Sequence, residues 1–181
     1  MAYSSGLVIS LCLFCILSAL AKRELNVVRK GNTEFILDSI ETRSDHEFVE
    51  YFEKVPDSKV LYTYRVVKLT SAFTINIVIK ALKSLRIMYK VENLKGCEFL
   101  NNPWIYKLFG EAYKNLVVNG SYLKCPIKPK IYFLKAMGVM YMIPRVNLPG
   151  RFQLTMHLKT PESRKPFVME MVLKYTIVRI K

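Results

Sequence analysis

The strongest constraint on the fold is a period-two alternation of apolar and polar residues that recurs along the chain. Phe152, Leu154, Met156 and Leu158 alternate with Arg151, Gln153, Thr155, His157 and Lys159. Successive side chains of a strand point to opposite faces, so a strand with one face in a core and one in water needs this pattern, whereas a helix does not. The last run repeats it, setting Phe167, Met169, Met171, Leu173, Tyr175 and Ile177 against Glu170, Lys174 and Thr176. Between Val60 and Val91 the alternation predicts three more strands. Tyr62, Tyr64 and Val66 share one face, and Phe73, Ile75, Ile77 and Ile79 share another. In the third, Leu85, Ile87, Tyr89 and Val91 stand against Arg86, Met88 and Lys90. Buried parallel strands read as continuous apolar runs instead, so these three are expected to form an antiparallel meander.

Further strands are expected at Ile131 to Leu134 and at Met137 to Ile143, the latter ended by Pro144. Over Asn32 to Lys54 the pattern is less decisive: Phe35 to Ile40 fits an edge strand, and His46 to Phe52 fits either class. One helix is predicted after Asn101-Asn102-Pro103, where Asn can cap and Pro suits the first turn. Ile105, Leu108, Phe109, Ala112 and Leu116 then fall at spacings of three and four, giving one apolar stripe to pack on a sheet. Gly110 and the β-branched Val117 and Val118 leave its length open. Many short strands joined by turns predict an all-β sandwich or barrel with one inserted helix. With 181 residues, 51% of them hydrophobic, the chain has material for one packed domain.

Gly6 to Leu20 is an uncharged, largely apolar run followed by Ala21, Lys22 and Arg23. Its length and the Ala19-Leu20-Ala21 ending predict a secretory signal peptide over residues 1–21, leaving 22–181 as the mature domain. The alternative, an uncleaved anchor, would need a run of about 20 apolar residues. Cleavage removes Cys12 and Cys15 and leaves Cys97 and Cys125 in an oxidising compartment, so one disulfide is expected, with two buried free thiols as the alternative. Asn119-Gly120-Ser121 is a sequon on a turn signal, which makes Asn119 the candidate glycosylation site.

The net charge is +14. Such a field draws in acidic headgroups, polyanionic glycans or nucleic acid, although no arginine-rich block or recognised motif favours nucleic acid. The chain has neither a His-x-Glu or paired-His metal spacing nor a Gly-x-Ser-x-Gly elbow. A non-enzymatic protein without metal or cofactor is therefore expected.

The order Gly96-Cys97-Glu98-Phe99-Leu100, a helix, Lys124-Cys125-Pro126-Ile127, then Leu148-Pro149-Gly150-Arg151-Phe152 resembles an insect secreted family. That family is the one of domain of unknown function 1091, which includes the chemosensory B proteins, and the resemblance covers roughly Leu61 to Tyr175. Phe152 stands where the family usually has Tyr, and the cysteines many members carry near the mature N-terminus are absent here. The family is similar in fold to the ML lipid-recognition superfamily. The resemblance thus implies an immunoglobulin-like antiparallel β-sandwich whose sheets part to hold a lipid or other hydrophobic small ligand, such as a pheromone or cuticular lipid.

On that reading Phe73, Ile75, Ile77, Tyr89, Phe152, Leu154, Met156, Met169 and Met171 are candidates to line a hydrophobic cavity, with Trp104 and Phe109 at its mouth. Flexible Met and flat aromatic side chains suit an adaptable apolar pocket, and they also suit an ordinary core. The competing expectation is a dry-cored cationic protein that docks a membrane receptor or polyanion through its basic surface.

Overall fold

The computed structural model describes residues 26–58, 60–103, 113–118, 121–143 and 148–180. The expected signal peptide, Trp104, Phe109 and the sequon residue Asn119 lie outside the described residues. Nine antiparallel strands are described: β1 (Val27–Lys30), β2 (Thr33–Ser44), β3 (Val49–Lys54), β4 (Leu61–Val66), β5 (Thr74–Ala81), β6 (Ile87–Lys95), β7 (Lys130–Lys135), β8 (Gly150–Lys159) and β9 (Met169–Arg179). They form a six-stranded sheet in the order β1-β2-β9-β8-β5-β6 and a three-stranded sheet in the order β3-β4-β7. The protein is an all-β sandwich, as its alternation predicts.

Directly paired residues stand on one face of a sheet, so the register gives the inner wall rung by rung. Ile75, Leu158 and Met169 form one rung; Ile77, Met156 and Met171 the next; then Ile79, Leu154 and Leu173; then Ala81, Phe152 and Tyr175. β2 continues the wall with Ile40 opposite Leu173, Leu37 opposite Tyr175 and Phe35 opposite Ile177. The smaller sheet faces it with aromatic side chains. Phe52 meets Tyr64 edge-on at 5.7 Å between ring centroids, and Tyr64 stacks on Tyr132 at 5.2 Å. Tyr62, Val66 and Leu134 complete this buried layer.

The chain passes from the large sheet to the small one through a turn built by Asp45. Its buried carboxylate accepts the backbone N–H groups of Glu47, Phe48 and Val49 at 3.0–3.1 Å. Donors that neither sheet can satisfy at this crossing are thereby paired, the usual role of an aspartate at a turn.

Several expectations are corrected. Only β5 and β6 of the predicted meander are neighbours; β4 belongs to the other sheet. β2 is an interior strand because β1 covers its free side, and His46 to Phe52 resolves into a turn followed by β3. Met137 to Ile143 is a helix, α2 (Met137–Met142), preceded by α1 (Gly96–Asn101). The sequence of α2, Met-Gly-Val-Met-Tyr-Met, is short and apolar throughout, so periodicity cannot separate helix from strand there. Lys30 donates to the carbonyls of Tyr141 and Ile143, at and just past its C-terminal end, where a cation is favoured. Most of the predicted helix lies outside the described residues. A helical turn at residues 113–116 is described, with the Val117 N–H donating to the Tyr113 carbonyl. Among the described residues the two short helices α1 and α2 are additional to the predicted one.

Burial raises the phenols of Tyr64 and Tyr175 well above the ordinary 10.0, and Tyr62 and Tyr132 move the same way for the same reason. A tyrosine whose pKa is higher folded than unfolded holds its proton more tightly in the native state. Its contribution is fully present below pH 10 and is lost as pH rises above it. Stability is therefore expected to fall above about pH 10. Absorbance at 295 nm should then rise in two stages, an early one from exposed tyrosines and a late one coincident with loss of near-ultraviolet circular dichroism. A single smooth titration of all 11 tyrosines in a folded protein would refute it.

Candidate functional site

The inner wall of the large sheet is closed unevenly. Along β9, Met169, Met171, Leu173, Tyr175 and Ile177 are buried, and on β8 so are Phe152 and Leu154. Across the same rungs, Met156 and Leu158 on β8 and Ile75 and Ile77 on β5 are half-buried, and the register makes these four contiguous. Val91 and Leu94 on β6, paired with Ile77 and Ile75, extend the corner to the sheet edge, also half-buried. The candidate site is this apolar corner at one end of β5 and β8.

The expected cavity residues therefore fall into groups. Ile75, Ile77 and Met156 meet at the open corner. Phe152, Leu154, Met169 and Met171 sit on the same wall but within the closed core, and Phe73 is buried under α1. Tyr89 pairs with Ile79 and so shares the inward face, but on the edge strand it is 41% exposed, and the neighbouring Met88 packs on the core as well. Bulges make this edge irregular. The register of β6 shifts between Ile75 and Ile77 and again between Ile79 and Lys80, and each extra residue disturbs the strict alternation. Asn93, with φ 53°, forms the first irregularity, and its N–H donates to the Asn76 side chain at 2.7 Å. Leu85 also leaves the predicted face, because it lies in the β5–β6 turn with φ 55°.

Leu158 belongs to the corner and was legible: it continues the alternation of Met156. Leu94 was hidden by the bulge at Asn93, and an asparagine, which tolerates positive φ, was the one available signal.

A disulfide closes the sandwich near this corner. Cys97 in α1 is bonded to Cys125, with the Cα atoms 5.8 Å apart. α1 follows the edge strand β6 of the large sheet, whereas Cys125 precedes β7 of the small sheet, so the bond ties the two layers. Beside it, the Gly96 N–H donates to the Phe73 carbonyl at 2.8 Å, and Thr70 pairs with Ile127.

The outer face of the large sheet is polar and largely neutralised. Lys174 meets Glu41 at 3.1 Å, Arg43 meets Glu170 at 3.5 Å and Arg151 meets Asp38 at 3.7 Å. His157 faces outward as predicted, 2.7 Å from Glu170 and stacked on Phe167. Among the described residues no helix is long and apolar enough to cross a membrane, and no three His, Cys, Asp or Glu side chains converge as a metal site.

No curated protein matches the chain. Residues 73–154, from the residue before β5 through the first half of β8 and including both bridged cysteines, match the family described as protein of unknown function (DUF1091).

Proposed function

We propose that the protein is a secreted, non-enzymatic carrier of a hydrophobic small molecule or lipid, held between the sheets at the corner formed by Ile75, Ile77, Met156 and Leu158. The observation that carries this reading is the contiguous apolar patch on the inward wall that stays half-buried while the same rungs are closed along β9. A sandwich that only needed a core would gain by covering those side chains, since burial is worth about 25 cal/mol per Å². An apolar guest covers them instead. Deeper in the same interior, on the rung of Phe152, the buried Tyr175 hydroxyl meets no hydrogen-bond partner among the described residues, a polar contact for a guest bearing a hydroxyl or carboxyl group. The disulfide supports maturation in an oxidising compartment, and the family resemblance supports a pheromone-type or cuticular lipid as the ligand class.

The test is organic extraction of the purified protein with mass spectrometry of the extract, together with titration of a fluorescent fatty acid. Saturable probe binding is expected, weakened at least tenfold by Met156→Lys, a change that places a charge on the apolar wall at a cost of order 1–3 kcal/mol. No co-purifying lipid and no saturable binding would remove the carrier reading. Steep, salt-sensitive retention on heparin without probe binding would favour a dry-cored protein that docks a polyanion or receptor.

A further inference from the structure

We infer that the tip of the β5–β6 hairpin, with the start of β8 beside it, is a docking surface for an anionic phospholipid membrane. Three large aliphatic side chains are exposed at this end of the sheet: Leu85 at 73%, Ile87 at 50% and Leu148 at 58%. The Leu82 N–H donates to the Arg151 carbonyl at 2.9 Å, and Ala81 pairs with Phe152, so the hairpin tip and the entry to β8 are held side by side. Leu85 occupies the turn in a left-handed conformation, φ 55°. A bulky residue there is strained where glycine would be relaxed, so the chain spends conformational energy to keep an aliphatic side chain in water.

The charge carried by the hairpin tip itself has one sign, the carboxylate of Asp38 at this end of the sheet facing Arg151. From Ser58 to Val91 the sequence contains no acidic residue. Lys80, Lys83 and Arg86 are exposed and, unlike the cations on the outer sheet face, none of them pairs with a carboxylate among the described residues. The hairpin tip thus joins exposed aliphatic side chains to cations that no described carboxylate pairs. It matches a bilayer interface, where aliphatic groups enter the headgroup boundary and Lys and Arg meet acidic lipids. The apolar corner at Ile75 and Leu158 lies at the other end of β5, so docking and ligand binding stand or fall separately.

The experiment is co-sedimentation of the secreted protein, residues 22–181, with vesicles of phosphatidylcholine alone or with about one-third phosphatidylserine, the anionic composition being chosen to give the surface potential such cations sense. Binding is expected only to the anionic vesicles and should weaken as salt rises, because the attraction falls off within the Debye length. The triple variant Lys80→Gln/Lys83→Gln/Arg86→Gln should bind about 100-fold more weakly. Leu85→Ser should lose about tenfold at any salt concentration. The variant Lys124→Gln/Lys128→Gln/Lys135→Gln removes the same charge elsewhere and should lose less than threefold; all variants are checked for native circular dichroism. No binding to anionic vesicles, an equal loss in both triple variants, or an unchanged affinity for Leu85→Ser would each overturn the inference, whatever the outcome of the fatty-acid titration.

Discussion

Removing the disulfide by the double substitution Cys97→Ala/Cys125→Ala is expected to destabilise the protein by about 3.5 kcal/mol and to lower its melting temperature by about 10 °C. The bond closes a loop with a sequence separation of 28. In the chain-entropy description, reopening it returns to the unfolded ensemble the freedom the crosslink had removed. The residues it joins give the bond a second consequence. α1 hangs from an edge strand of the large sheet, and an edge strand is held by backbone hydrogen bonds on one side only. Cys97 and Cys125 are themselves half-buried against the core. Without the crosslink, the β6 end should loosen before the β2–β9 end. Hydrogen exchange should therefore accelerate in β6 and α1 well ahead of β9. Denaturant titrations of the intact and variant proteins supply the global measurement. A loss below about 1 kcal/mol would mean that packing alone joins the layers.

The fold was legible where one face of a strand is fully buried and the other is wet. β9 alternates without interruption from Met169 to Ile177, and there a one-residue slip would turn every apolar side chain into water. β4 is equally plain, with Tyr62, Tyr64 and Val66 buried. Legibility failed at β6, where burial is incomplete. An edge strand carrying two bulges tolerates Ile87 and Tyr89 in solvent, so its composition no longer reports which way its residues point. It failed also at α2, six apolar residues that a strand would accept equally well. Sheet membership was not written locally at all. β4 and β5 follow one another in sequence and carry the same pattern, yet they lie in opposite layers, because alternation fixes the inward face of a strand and not the partner across it.

The same distinction governs the candidate site. Ile77, Met156 and Met171 are one rung of one wall, and the sequence marks all three as inward-facing in the same way. Met171 is closed off while Ile77 and Met156 remain half-buried, a difference that the alternation they share does not carry. A sheet of three strands cannot cover the inner face of six, and the uncovered share falls on one side of the wall. Tyr175 carries the second element that sequence could not provide. Its place in the alternation predicts burial, but nothing local tells that its hydroxyl meets no partner among the described residues.

The substitution Gly138→Ala is expected to cost about 3 kcal/mol, more than Gly96→Ala, although both add one methyl group to a buried glycine at a short helix. The difference lies in what the new atom meets. At Gly138 a Cβ would lie 2.2 Å from the Leu116 Cα and 2.4 Å from its backbone N. α2 therefore rests directly on another stretch of backbone, and no side-chain rotation can relieve the overlap. That stretch is anchored in turn, because Val117 pairs with Leu134 of β7 and the Val118 N–H donates to the Phe133 carbonyl. Relief requires moving α2 away from the small sheet and opening contacts around Val139 and Met140, both buried. At Gly96 the added methyl would instead come within 2.1 Å of the Phe73 ring, a side chain that a second substitution can shorten. Phe73→Leu in the Gly96→Ala background should recover part of the loss. In the Gly138→Ala background the same change should recover nothing, since Phe73 is not in that contact. Urea titrations of the four variants decide the matter: equal losses at the two glycines, or rescue of both by Phe73→Leu, would show that α2 is not seated backbone to backbone.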